Sequence, residues 1–477
     1  MSATDLRAAT PSLAAPAARA MWLILAAVLI ADVLDLLDST LTIIAAPTIA
    51  ADLGGGEGLV KWLGSAYALA LGSLLVIGGR LGDRYGQRPT FLIGITGFTL
   101  ASLVCGLAPS PAVLIAGRLL QGASGALLIP QGIAIMISTF PRAMLDKAFS
   151  AFGPILGLAV VSGPIIGAFI ISADIAGLGW RPMFLINIVL GTIGLALAWK
   201  VLPRTPGDRS VVLDGLGSGL LGAAMLFLIY GLIEGSTSGW SPVVVGLVVT
   251  GLVCFIAFGV RQRTARNPLI EPSLLRNRGF TAGLVMALAF FSVVSGLGYV
   301  LSLFLQQGAG RTPVETALTG IAPMAAGIIV ASFAAAPLIG RLGRGLVLTG
   351  LVATLAGVLL LWAVVGTQGT SIGPWSLVAP VFVIGLGMGL CIGTLFDIAV
   401  GDVEQQEAGS ASGSLSAVQQ IASAIGAAVI TSIWFGVVAT DVPAAMIACL
   451  GVIAALLVGC CGLVTLLPRK AAERGGP

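Results

Sequence analysis

The feature that most constrains this chain is a succession of fourteen apolar runs, each long enough to cross a bilayer. They fall at about 21–47, 60–79, 89–108, 112–136, 148–172, 182–202 and 211–234, then at about 242–260, 280–305, 315–339, 345–366, 376–399, 411–439 and 443–467. A membrane core of about 30 Å requires roughly 20 apolar residues per helix, with every backbone polar group satisfied inside the helix. Only 9% of residues are charged and the mean hydropathy is +1.07, against about 25% charged residues in a soluble domain. The expected fold class is therefore all-α, a polytopic membrane protein with 14 transmembrane helices. Glycine is abundant, 66 of 477 residues. In a bilayer that enrichment reads as close helix packing rather than disorder.

The positions of the cations test the count independently, because basic residues collect on the cytoplasmic side. With the N-terminus placed in the cytoplasm, twenty of the Lys and Arg residues fall inside, and only Lys61, Arg118, Arg181 and Arg311 fall outside or within the outer membrane. A missed span would invert everything after it and destroy that pattern. Trp62, Trp180, Trp240 and Trp375 are expected at outer span ends and Trp22 and Trp199 at inner ones, where amphipathic rings prefer to sit. The first twenty residues read as a polar tail. A cleavable signal is disfavoured, since the following apolar run continues to about Pro47 and contains acids. The expected location is the cell inner (plasma) membrane, multi-pass, with both termini cytoplasmic.

Several function classes are excluded by what is missing. There is no histidine, so no imidazole metal site, triad or proton relay can form. Cys105, Cys254, Cys391, Cys449, Cys460 and Cys461 lie in apolar runs without metal-site spacing and read as reduced core residues. No P-loop or nucleophile motif is present, and the basic residues follow topology instead of forming a nucleic-acid footprint. The chain is expected to be no enzyme, with no cofactor, no metal and no nucleic acid. Its expected partners are the lipid bilayer, protons and a small molecule, and it is expected to act as a monomer.

An internal repeat organises the spans. The stretch GGRLGDRYGQRPTF at 78–91 and the stretch IGRLGRGLVL at 339–348 share a Gly-Arg-Leu-Gly core. Spans 1–6 then answer to spans 9–14, with spans 7 and 8 an inserted pair. The expected boundaries are a tail at 1–20, a six-helix bundle at 21–205, two inserted helices at 206–262, a second six-helix bundle with its preceding loop at 263–468, and a tail at 469–477.

Five segments, in order, resemble the major facilitator superfamily, specifically its fourteen-span drug–proton antiporter branch. They are LLDSTLTIIAAPTIAADL in span 1; the loop with Gly79, Asp83, Arg84, Gly86 and Arg88; RLLQGASGALLIPQG with Arg118 and Gln121; SGPIIGAF with Gly163, Pro164 and Gly167; and the series WRPMFLIN, DGLGSGLL and AGSASGSLSAVQQIASAIGAA. The sequence departs from the pattern at Gln87, where a basic residue is common, at Ala168, which replaces a closing glycine, and at Arg344, which stands in the second copy where the first has Asp83. The resemblance implies a gating latch at Asp83 and its neighbours, and an exporter-type bend at Gly163-Pro164.

Span 1 carries Asp32, Asp35 and Asp38. At about 100° per residue they cover roughly 120° of one helix face. Each carboxylate at depth costs on the order of 2.5–3.5 kcal/mol, so three on one face demand a compensating role. A wet cavity that takes a proton or a cationic substrate supplies one, and close acids then titrate as a cluster. The plainer alternative is that an Asp only hydrogen-bonds a neighbouring helix. Arg118 reads either as a snorkelling residue or as the buried countercharge of these acids, and the resemblance favours the second. Asp397 and Glu234 are further candidates for a cavity lining, with an interfacial position as the alternative. The expected function is proton-coupled export of amphipathic, cationic small molecules by alternating access. A dedicated exporter of one endogenous metabolite or antibiotic, and a non-transporting sensor, are the alternatives.

Overall fold

The computed structural model describes residues 18–468 apart from 205, 212–213, 336, 401–402 and 405–406. The tails at 1–17 and 469–477 lie outside the described residues. Among the described residues the chain is helical and contains no strand. The long helices are α1 (Ala18–Leu53), α2 (Gly56–Tyr85), α3 (Gln87–Gly106), α4 (Pro111–Thr139), α5 (Arg142–Ala173), α6 (Pro182–Val201), α7 (Gly215–Ser238) and α8 (Pro242–Thr264). They continue as α9 (Arg278–Leu303), α10 (Ala322–Ala335), α11 (Arg344–Gln368), α12 (Pro374–Val400), α13 (Ala408–Val437) and α14 (Val442–Leu463). A π-helical turn extends α9 through Phe304–Gly308, and another at Ala317–Ile321 leads into α10. Among the described residues, 13 helices are long and apolar enough to cross a membrane. The remaining long helix, α5, has 32 residues and covers the fifth expected run.

Local chemistry sets many of the helix starts. Ser110, Ser241, Asn277 and Asp441 each accept a bond from a backbone N–H three residues on, at α4, α8, α9 and α14. Pro111, Pro242 and Pro443 supply the first turn at three of these starts, where proline's missing N–H costs nothing.

The helices run past the apolar runs where a polar end can be accommodated. The stretch expected as a loop at 80–88 is instead the last turn and a half of α2, followed by one break at Gly86 (φ +99°) and the start of α3. Only glycine adopts that backbone readily. In the second copy the break comes earlier, at Gly343 (φ +48°), the closing glycine of Gly-Arg-Leu-Gly.

Packing pairs α2 with α4 and α13, α3 with α4 and α6, and α1 with α5 and α6. Farther along the chain α10 and α11 both pack on α12, and α9 packs on α13. The α7–α8 hairpin lies against α2 and α13. Two crossings depend on absent side chains. A methyl group added at Gly78 would lie 2.0 Å from the Ala126 carbonyl oxygen of α4, and one at Gly79 would lie 2.2 Å from the Gly409 carbonyl oxygen of α13.

One of the tryptophans expected at span ends is buried rather than exposed. Trp22, Trp62, Trp199, Trp240 and Trp375 are exposed, but Trp180 is buried. Its indole N–H donates to Asp52 at 2.9 Å, and Arg181 reaches the same carboxylate at 3.1 Å. An acid within reach therefore draws the ring inward. The indole bond first, and Arg181 beside it, hold the Asp52 carboxyl below the usual carboxylate range. Cys105, Cys391, Cys449 and Cys460 are buried, Cys254 and Cys461 half-buried, and all six are free thiols.

Overpacking a tight crossing costs about 1–3 kcal/mol. Gly78→Val is expected to lower the thermal unfolding midpoint of the detergent-solubilised protein, whereas Gly64→Ala, which faces open space, is expected to leave it unchanged or raise it.

Candidate functional site

The site grows from one residue of α1. Asp38 is only 1% exposed, and its carboxylate is engaged from three sides. Arg118 of α4 forms an ion pair with Oδ2, while Gln121 and Asn187 donate to Oδ1 at 3.0 and 2.6 Å. Arg118 is itself 1% exposed. Its Nε donates to the Leu63 carbonyl of α2 at 2.9 Å and Nη1 to Gln121 Oε1 at 2.8 Å. The guanidinium lies over the Tyr67 ring, 4.6 Å from its centroid. Gln121 then donates to Ser102 of α3 at 2.8 Å. Five helices thus contribute to one buried network with opposed unit charges at its centre. A buried pair of this kind stands only when its remaining donors and acceptors are satisfied.

The three acids of α1 share a face but not an environment. Asp35 accepts a hydrogen bond from Tyr67. It also lines a cavity of about 130 Å³ with Leu71, Leu75, Ile129, Ser416, Gln419 and Gln420. That cavity lies where α1, α2 and α4 meet α13. Asp32 is half-buried, and one of its carboxylate oxygens has no hydrogen-bond partner among the described residues. A larger groove of about 390 Å³, bounded by Trp22, Leu25, Leu29, Val33, Ile155 and Leu190, is apolar and contains none of these acids.

The second motif forms a separate cluster at the basic end of the bundle. Asp83 Oδ1 accepts from the backbone N–H of Gly409 at 3.0 Å, in the first turn of α13. A carboxylate there satisfies an orphan donor and meets the positive end of the helix dipole. Arg80 bonds Glu271 at 2.7 Å and lies 3.8 Å from Asp83. Arg84 donates to the Val211 carbonyl at 3.0 Å, and Arg88 to the Trp199 carbonyl at 2.6 Å. Gly86 makes the turn, and Gly79 lets α2 approach Gly409.

The remaining candidates are dispersed. Gly163 of α5 faces Thr40 of α1, where an added methyl would lie 2.0 Å from Thr40 Oγ1. This contact is two residues beyond Asp38. Gly167 is buried in the same helix. Pro164 lies within the unbroken α5, its side chain outside the described residues. Asp397 is buried in α12 and Glu234 is half-buried in α7. Among the described residues neither bonds the acids of α1.

Tyr67, Ser102 and Asn187 escape a search for charges. Their signal is a neutral polar residue inside an apolar run. A further pair missed in the sequence is Asp214 with Arg261, which bond at 3.0 and 3.1 Å at the base of the α7–α8 hairpin. Arg261 holds the Asp214 carboxyl below its ordinary range.

Comparison with known proteins gives this geometry a family. The chain is 42% identical over 430 residues to the "Probable actinorhodin transporter" of Streptomyces coelicolor, an alignment spanning 89% of this chain and 74% of that one. It is 33% identical to the "Tetracenomycin C resistance and export protein" of Streptomyces glaucescens, over 86% and 75% of the two chains. The crystal structure of the human organic anion transporter MFSD10 (TETRAN) superposes with a TM-score of 0.69 over 93% of this chain and 99% of that one, at 17% identity, a likeness of fold. The sequence pattern of the Major Facilitator Superfamily matches residues 28–427. The chain belongs to the Major Facilitator Superfamily, whose members are membrane transporters and not enzymes.

Proposed function

We propose that this chain is a proton-coupled exporter of amphipathic small molecules that works by alternating access across the plasma membrane. The observation that carries the reading is the position of Asp35. It opens onto a polar cavity bounded by α13 while lying one helical turn from the sealed Asp38–Arg118 pair. In this reading the chain has fourteen spans, with six-helix bundles at 21–205 and 263–468, the inserted pair at 206–262, and both termini cytoplasmic. The sign of the basic residues at the α2–α3 turn supports that orientation.

The proposed chemistry follows from charge balance. While Arg118 holds Asp38, the pair is neutral and the first bundle is locked around it. A proton arriving at Asp38 leaves the guanidinium unpaired, free to turn towards Asp35 or towards solvent. A cationic group of the substrate docks against Asp35 and competes there with a proton. That exchange of one positive charge for another is antiport, and coupling requires each ligand to favour a different access state. Asp32, with its unpaired oxygen, serves as a relay towards the basic end.

The Asp83–Gly409 bond supplies the second element. It joins a helix of the first bundle to one of the second and closes the basic end. Breaking it is the hinge step that opens the cleft to the cytoplasm. Gly163, packed on Thr40, couples the tilt of α5 to the segment of α1 that carries Asp38.

A second reading is a dedicated exporter of one antibiotic made by the host. The observation that favours it is the naming of the relatives, which are associated with single antibiotics: actinorhodin, tetracenomycin C and puromycin.

The test is uptake or efflux of ethidium by proteoliposomes under an imposed pH gradient. Gradient-driven transport is expected in the wild type and is lost in Asp35→Asn and in Asp38→Asn. Transport retained by both variants overturns the assignment. Stability gives a separate check, since removing one member of a buried pair costs about 3–5 kcal/mol. Arg118→Ala is therefore expected to lower the unfolding midpoint strongly, and the double variant Arg118→Gln/Asp38→Asn to recover part of that loss.

A further inference from the structure

The α7–α8 hairpin covers the seam between α2 and α13 and is fastened on both sides. Tyr230 of α7 stacks on Trp62 of α2, with ring centroids 5.9 Å apart and planes within 25°. The Ile229 side chain fills the notch at Gly72 of α2, where an added methyl would meet it at 2.5 Å. Beyond the end of α7, Trp240 donates its indole N–H to Ser432 of α13 at 3.0 Å. At the opposite end the Asp214–Arg261 pair joins the start of α7 to the end of α8. Helices that merely occupied lipid space would need no aromatic stack and no indole bond to two separate partners.

Beneath α7 lies a cavity of about 130 Å³ walled by Ala68 of α2, Ile229 and Ile233 of α7, Tyr299 of α9, and Gln420 and Ser423 of α13. It is distinct from the Asp35 cavity, which has the same volume, and the two share one lining residue, Gln420. A void of about 150 Å³ holds a benzene molecule, so each cavity is the size of roughly one aromatic ring. The polar residues that line the second cavity are neutral: Gln420, Tyr299, which is 49% exposed, and Ser295, whose hydroxyl donates to the Ser423 carbonyl at 2.9 Å. Among the described residues no carboxylate and no cation lines it. Its apolar walls suit a ring face, and its amide and phenol suit oxygen substituents at the ring edge.

We propose that this cavity is a second substrate subsite that takes a neutral aromatic ring bearing hydroxyl or carbonyl oxygens, with the inserted helix α7 as one wall. When the Gln420 side chain swings aside the two cavities join, and a planar fused-ring ligand spans both, one end at Asp35 and the other beneath α7. This deepens the exporter reading and rests on it. The hairpin is thereby a specificity element, because exchanging Ile229 or Ile233 resizes the subsite without touching Asp35 or Asp38.

Equilibrium binding tests the subsite without any pH gradient, so a failure of proton coupling leaves the readout intact. The probe is 1,8-dihydroxyanthraquinone, titrated into the full-length purified protein and followed by quenching of tryptophan fluorescence. Saturable binding is expected in the wild type. Ala68→Leu, which fills the cavity from α2, and Ile233→Phe, which fills it from α7, are each expected to weaken binding on the order of tenfold. Gln420→Leu is expected to weaken it by up to about tenfold while leaving anthracene, which has no oxygen, within about twofold. Thermal midpoints near that of the wild type confirm that a weakened variant is folded. The proposal is overturned if the wild type shows no saturable binding, if both filling variants fold and bind as the wild type does, or if Gln420→Leu weakens both probes equally. Binding that persists in a wild type that transports nothing under a pH gradient would count against proton coupling and leave the subsite standing.

Discussion

Five helices in the first half of the molecule meet around one buried ion pair, Asp38 with Arg118. Each partner is 1% exposed, and a lone charge at that depth would not be tolerated. The pair therefore dictates its neighbours. Gln121 and Asn187 complete the carboxylate, the Leu63 carbonyl and the Tyr67 ring complete the guanidinium, and Ser102 receives the far side of Gln121. Those partners come from α2, α3, α4 and α6, so the requirement to satisfy two charges fixes how these helices meet α1. Glycines at the crossings, such as Gly78, allow the approach.

The same economy of contacts appears at the two places where α13 meets the first helices. At the basic end a carboxylate sits on a helix N-terminus, Asp83 on Gly409, beside the close backbone approach at Gly79. Nearer the middle lies a pair of small cavities that share Gln420 in their linings. One long helix thus carries the Asp83 contact at its start and lines both cavities farther along. In the proposed mechanism a change in its tilt would alter both together, as alternating access requires. The α7–α8 hairpin, tied to α2 by Trp62–Tyr230 and to α13 by Trp240–Ser432, spans the same seam and would move with it.

Much of this was legible in the sequence, for definite reasons. Spanning length and the distribution of cations fix the helical, polytopic class, and charges inside apolar runs point to Asp32, Asp35, Asp38 and Arg118. The repeat at Gly-Arg-Leu-Gly locates the turn cluster. What was not legible depends on neutral groups and on geometry between distant helices. Tyr67, Ser102 and Asn187 carry no charge to advertise them. The sequence places Asp32, Asp35 and Asp38 on one face, yet one is sealed, one faces a cavity and one is left half-satisfied. The arc of a helix does not reveal which neighbour stands opposite. The burial of Trp180 was hidden for a related reason: its partner at the span end, Asp52, comes from a distant helix.

In the proposed mechanism a proton and a substrate compete for the carboxylates of α1. The most direct measurement of this competition is the count of protons released when ethidium binds the purified protein in lightly buffered detergent solution at about pH 5, where a carboxyl that exchanges its proton for the cation starts out protonated. The account predicts release of about one proton per bound cation, by linkage between the two ligands, with the release absent in Asp35→Asn. Binding without proton release in the wild type, or equal release in the wild type and in Asp35→Asn, would contradict it.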